Sequence, residues 1–163
     1  MRLYLVRHGK AEKKSPTGRD EDRPLQPRGE RQSRWLGETL TGGARADAPR
    51  LILASPALRA SETARIIQSI VGCTLRVEPA LQIGEPAEEI LDIIARTAET
   101  GDDAPLMLIG HNPTMEILIP ALVPGLDGEQ CEMRTGMAAI IDVPDAGRIE
   151  SRSRLIGRVR YPD

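Results

Sequence analysis

The chain has 163 residues, a formal charge of −2 at neutral pH and an apolar fraction of 40%. That length supports one ordinary domain with its own core, so residues 1–163 are read as a single domain. One Trp, two Tyr and no Phe leave little aromatic surface for stacking nucleic-acid bases, and no long block of like charge marks a nucleic-acid arm or a membrane patch, so neither partner is expected.

Residues 2–6 form a short apolar run rich in strand formers, predicted as a buried first strand. The opening run is too short for a signal peptide or a membrane span, which makes the cytoplasm the expected compartment. Residues 10–26 are charged and rich in turn residues with no period, which predicts a long loop; loops of that length in small domains are commonly functional. Pro27 opens a helix predicted over 27–41, stopped near Gly42 and Gly43. A second strand covers 50–54. Ser55 is read as the cap of a helix whose first residue is Pro56 and which runs to about Val71.

A third strand is placed at 74–78. A helix follows over 86–99, with Ala87, Ile90, Leu91, Ile94 and Ala98 on one face. A fourth strand covers 105–109. Asn112 and Pro113 are read as a second cap-plus-proline start, for a helix to about Val123 that Pro120 should bend or end. Segments 137–143 and 148–156 are predicted as a terminal hairpin turning at Asp145, Ala146 and Gly147. Alternating strands and helices predict an α/β fold: a mostly parallel central sheet flanked by helices in three layers. Cys73 and Cys131 sit at no metal-ligand spacing and are read as reduced thiols.

Both histidines of the chain follow predicted strands directly, His8 after 2–6 and His111 after 105–109. Arg7 also sits past a strand end, and Arg59 lies in the first turn of the helix after Ser55 and Pro56. Ligands of open α/β sheets bind at the carboxyl ends of the strands, so these four side chains should meet on one rim. Each alone reads as a cap, an ion pair or a structural histidine. Together they suit a tetrahedral dianion. Guanidinium groups hold it by charge-assisted hydrogen bonds. One imidazole can attack phosphorus if its other nitrogen is held as a donor, and the second can donate to a phosphoryl oxygen. The dianion would raise the pKa of that donor.

Arg7, His8, Gly9, Lys10 and Ala11 after an apolar strand resemble the signature of the histidine phosphatase superfamily, which includes the cofactor-dependent phosphoglycerate mutases. Four further blocks match in order: Arg23-Pro24-Leu25 with Gly29; Ser55 to Ala60 with Thr63-Ala64; Gly110 to Pro113; and Thr135 to Ala138. The chain is most similar to the small phosphohistidine phosphatases of the SixA type. The resemblance implies a phosphoglycerate mutase-like fold and phosphorylation of His8. Arg7, Arg59 and His111 would complete the phosphate pocket, with Arg23 a candidate to reach phosphate or substrate. It implies no metal and no organic cofactor.

Larger family members carry a glutamate near the third strand that protonates the leaving oxygen; Glu85 is the positional candidate here, against a reading in which it serves only the helix dipole. The expected substrate is a phosphohistidine, for instance on a signalling protein. A phosphatase of small phosphomonoesters and a non-catalytic phosphate-binding regulatory module are the alternatives.

Overall fold

The structure is a computed structural model that describes residues 1–42, 47–99, 104–144 and 153–162. In chain order it has β1 (Arg2–Arg7), α1 (Pro27–Thr41), β2 (Leu51–Ala54), α2 (Leu58–Val71), β3 (Thr74–Val77), α3 (Ala87–Glu99), β4 (Leu106–Gly110), α4 (Thr114–Leu122), β5 (Ala138–Asp142) and β6 (Arg154–Val159). The strands form one sheet in the order β3-β2-β4-β1-β5-β6. The β3-β2-β4-β1 part is parallel, and β5 and β6 add antiparallel pairs at one side. This is the α/β three-layer arrangement the sequence predicts.

The central strands are apolar on both faces because helices cover both. Side chains alternate across a strand, and the core divides accordingly. Leu3, Leu5, Leu106 and Leu108 pack with Ile90 and Ile94 of α3 and Met115, Leu118 and Leu122 of α4. Tyr4, Val6, Met107 and Ile109 pack with Leu36 and Leu40 of α1 and Ala60, Ala64 and Ile67 of α2. The predicted face of α3 lies on the first of these cores, with Ala87 and Leu91 half-buried at its edge. Among the described residues, no helix is long and apolar enough to cross a membrane.

Three local expectations are corrected. First, α2 begins at Leu58 rather than Pro56, with Ala57 at the cap position; the Ser55 hydroxyl accepts from Ala57 N–H at 3.2 Å but also serves other partners. Second, α4 begins at Thr114, and Asn112 caps nothing: its amide donates to Glu116 Oε1 and to the Met133 carbonyl. Pro120 lies inside α4, which ends two residues later.

Third, the final strand runs over Arg154–Val159 rather than 148–156. A register shift opposite Ile140 and Ile141 leaves Ile156 bulged and 53% exposed. The bulge breaks the period of two, so Leu155 and Val159 reach different cores. The predicted turn at 145–147 and residues 148–152 lie outside the described residues.

The loop over 10–26 is more ordered than its composition suggests. Its ends are tied by an isolated bridge between Ala11 and Leu25 and by Gln26 N–H donating to the Lys10 carbonyl at 2.8 Å. A short 3-10 turn, Asp20–Asp22, lies at its far side. The closed loop returns Asp20 and Arg23 to the carboxyl end of the sheet.

Candidate active site

The parallel ladder between β1 and β4 sets the site. Arg7 is paired with Gly110, the last register position, and His8 N–H donates to the Gly110 carbonyl at 3.1 Å. His8 and His111 therefore leave adjacent strands at the same height. Their ring centroids are 5.0 Å apart at a 58° tilt.

His8 is 8% exposed, and its Nδ1 lies 2.7 Å from the carbonyl oxygen of Gly9. A carbonyl can only accept, so Nδ1 carries the proton and, in the neutral ring, Nε2 carries the lone pair. Nε2 accepts from Arg59 Nε at 3.3 Å. Burial is the main cause that depresses the His8 pKa to about 4, and the nearby Arg59, Arg7 and Arg23 push the same way against the Gly9 hydrogen bond. At neutral pH the ring is uncharged, with its Nε2 lone pair facing Arg59.

The backbone around His8 is pinned from two sides. Gly9 N–H donates to Thr63 Oγ1 at 3.0 Å, and that hydroxyl donates to the Arg59 carbonyl at 2.8 Å. On the other side a Cβ on Gly9 would fall 2.6 Å from the Gly29 carbonyl oxygen, so α1 starts in backbone contact with the His8 loop.

Arg59 is 1% exposed in the first turn of α2. Besides His8, its Nη1 donates to the Asp20 carbonyl at 2.7 Å and its Nη2 to Asp20 Oδ2 at 2.9 Å. Asp20 also holds Arg23, whose Nε lies 2.8 Å from Oδ1. Partial desolvation pushes the Asp20 carboxyl up, but Arg59 and Arg23 outweigh it and keep it below the usual carboxylate range. Arg7 Nη1 donates to the Met133 carbonyl at 2.8 Å, while its buried Nε has no hydrogen-bond partner.

His111 is also buried, with Nε2 2.8 Å from Ser55 Oγ. The Ser55 proton goes to Gln82 Oε1 at 3.0 Å. His111 Nε2 is then the donor, and Nδ1, buried and without a partner, holds the lone pair. Burial first, then His8 and Arg59, push the His111 pKa down to about 3. The protein's own groups thus favour neutral His111; the raised pKa expected from the sequence can come only from a bound dianion.

Arg7, His8, Arg23, Arg59 and His111 line one cavity of about 230 Å³, with Lys10, Asn112 and Thr135 at its sides. Glu85, expected on this rim, is exposed and does not line the cavity. Gly84 at φ +92° turns the chain there, and Ile83 takes the lining position. Among the described residues, no Asp or Glu lines the cavity. Among the described residues, no three His, Cys, Asp or Glu side chains gather at metal-binding range.

The sequence does not foretell Asp20, Gln82, the hydrogen-bonding role of Thr63 or the second use of Ser55. Asp20 lies in a loop without period, where one acid among several carries no signal. Ser55 carries a signal, a polar residue directly after a strand, that fits a site residue as well as a helix cap.

The comparisons with known proteins bear on the family and the fold. The model of the histidine phosphatase superfamily (branch 1) matches residues 3–85. An uncharacterized protein of Picosynechococcus sp. is 31% identical over 156 residues, covering 94% of this chain and 91% of that one. An uncharacterized chloroplastic protein of Arabidopsis thaliana is 29% identical over 149 residues, which are 86% of this chain and 65% of the plant protein. Among solved structures, the protein histidine phosphatase SixA complexed with tungstate superposes with a TM-score of 0.85 at 22% identity, covering 98% of this chain and 97% of that one. A chain described as SixA from Agrobacterium tumefaciens gives a TM-score of 0.78 at 26% identity and 98% coverage of both.

Proposed function

The chain belongs to the histidine phosphatase superfamily, and on that premise we propose that it hydrolyses phosphohistidine on a protein substrate through a phosphorylated His8. The observation that carries this reading is the state of His8: Nδ1 bound to the Gly9 carbonyl, Nε2 with its lone pair among Arg59, Arg7 and His111. Nε2 attacks phosphorus as the bond to the leaving nitrogen breaks. Water then attacks the phosphoryl group, the bond to Nε2 breaks, and the water's proton leaves to solvent as inorganic phosphate forms. Arg7, Arg59 and a protonated His111 hold the equatorial oxygens, and Arg23 stands at the entrance. The similar SixA structure holds tungstate, a tetrahedral oxyanion of the kind this cluster suits.

The choice of a P–N substrate rests on the missing acid. An alkoxide leaving group needs a proton. Among the described residues no carboxyl group lines the cavity, and Asp20, the carboxyl on Arg59, is held ionised. A phosphoimidazole protonated on its ring leaves as neutral imidazole and needs no such donor. A cytoplasmic location and a phosphorylated signalling protein as partner go with this reading.

The test compares initial rates on a phosphohistidine peptide with those on sugar and nucleotide phosphates, and traps the enzyme with labelled phosphoryl groups. Preference for the peptide and an acid-labile, alkali-stable label lost in His8→Ala are expected. Preference for the esters would make the protein a phosphomonoesterase. Oxyanion binding without turnover of any compound would make it a binding module.

A further inference from the structure

Beside the catalytic cavity lies a second groove of about 210 Å³, lined by Lys10, Arg28, Arg134 and Arg160 together with Gln32, Thr135 and Tyr161. The two spaces share Lys10 and Thr135, so they adjoin. The groove has a built floor. Gln32, 5% exposed, accepts from Lys10 N–H at 2.8 Å through Oε1 and donates to the Thr135 carbonyl at 3.0 Å through Nε2. One wall is fixed by Tyr161, whose ring meets Trp35 edge-on at 5.9 Å and so anchors the tail that carries Arg160.

Four cations on one groove stand out on a chain whose net charge is −2. Arg134 pairs with Glu132 at 3.0 Å, and Arg28 and Arg160 also have contacts within the chain. All four cations are exposed, whereas Arg59 in the catalytic cavity is 1% exposed. A small anion is held by buried, fixed donors. Solvated arginines on flexible stems suit the charged rim of a protein interface, where they steer and orient a partner.

We propose that this groove docks an acidic stretch flanking the phosphorylated residue of the protein substrate. The proposal rests on the reading of the substrate as a phosphorylated protein. The groove then decides which phosphorylated proteins are used, and the cavity performs the transfer.

The experiment uses two phosphohistidine peptides, one flanked by Asp and Glu and one by Gly and Ser, with free phosphohistidine as the third substrate. The wild type is expected to favour the acidic peptide by about tenfold in kcat/KM, mostly through KM, with a preference that fades at high salt. Arg28→Glu with Arg134→Glu should abolish that preference while leaving the rate on free phosphohistidine within about twofold, which also reports correct folding. Arg160→Glu alone should weaken the preference in the same direction.

Equal use of both peptides by the wild type, or an unchanged preference in the double variant, would overturn the docking proposal and leave the catalytic reading standing. Strong competition by free citrate, relieved in the double variant, would overturn it in favour of a small-anion subsite. Failure on free phosphohistidine with turnover of phosphate esters would overturn the substrate reading itself.

Discussion

Asp20 places its carboxylate 2.9 Å from Nη2 of Arg59 and its backbone carbonyl 2.7 Å from Nη1. The guanidinium assigned to the phosphoryl group therefore already holds an anion belonging to the chain, and an incoming dianion must share or displace it. Asp20→Asn should make inorganic phosphate a stronger inhibitor. The Asp20 side chain is 59% exposed, so the gain is small: up to about fivefold in Ki, as for other solvent-exposed ion pairs. A weaker inhibition in the variant would instead make Asp20 a positioning residue for Arg59.

Acid should weaken both activity and stability. His8 must be neutral to attack, so kcat/KM should fall as pH drops through about 4. Stability follows the same direction. The folded-state value of His8 lies below its ordinary one, so between about 6.5 and 4 the unfolded chain takes up a proton that the native ring refuses. Stability is thus full above that window and lost as pH falls through it, on the order of 3 kcal/mol for His8. His111 extends the loss toward pH 3. Thermal melts between pH 7 and 4 should show a steep decline in the wild type and a shallower one in His111→Asn.

Oxyanion binding should draw a proton from solution. His111 Nδ1 can donate only after protonation, because Nε2 already donates to Ser55. Titration calorimetry with vanadate or phosphate near neutral pH, in buffers of different ionisation enthalpy, should report up to one proton taken up. The uptake should vanish in His111→Asn. Ser55→Ala removes the acceptor of the Nε2 proton and should lower turnover by one to two orders of magnitude, roughly the effect of losing support for one preorganised donor.

The contact between Gly9 and Gly29 leaves no room for a side chain. A Cβ on Gly29 would sit 2.2 Å from the Lys10 carbonyl oxygen. Because that neighbour is backbone, Gly29→Ala must move either α1 or the His8 loop. It should cost about 1–3 kcal/mol, the range for overpacked sites, seen as a lower midpoint in denaturant, and it should reduce turnover as well.

The meeting of His8, His111, Arg7 and Arg59 was legible in the sequence because each follows a strand end, and strand ends are set by strong apolar runs. What was not legible depends on single backbone angles or long-range partners. Glu85 fails to reach the rim because Gly84 adopts a left-handed φ one residue earlier. The last strand carries a bulge at Ile156, a feature that pairing with β5 creates and no local pattern announces. Asp20 finds Arg59 across 39 residues of sequence, and a loop without period offers nothing to foretell that.

The two imidazoles emerge from hydrogen-bonded neighbours, and the 5.0 Å between their rings is close to the ~4.8 Å that separates paired strands. The ladder thus sets the two backbones side by side, and the Gly9, Arg59 and Ser55 contacts hold the rings in place. Volume-conserving exchanges among the aliphatic residues beneath them leave the ladder, and with it the spacing of the two backbones, in place.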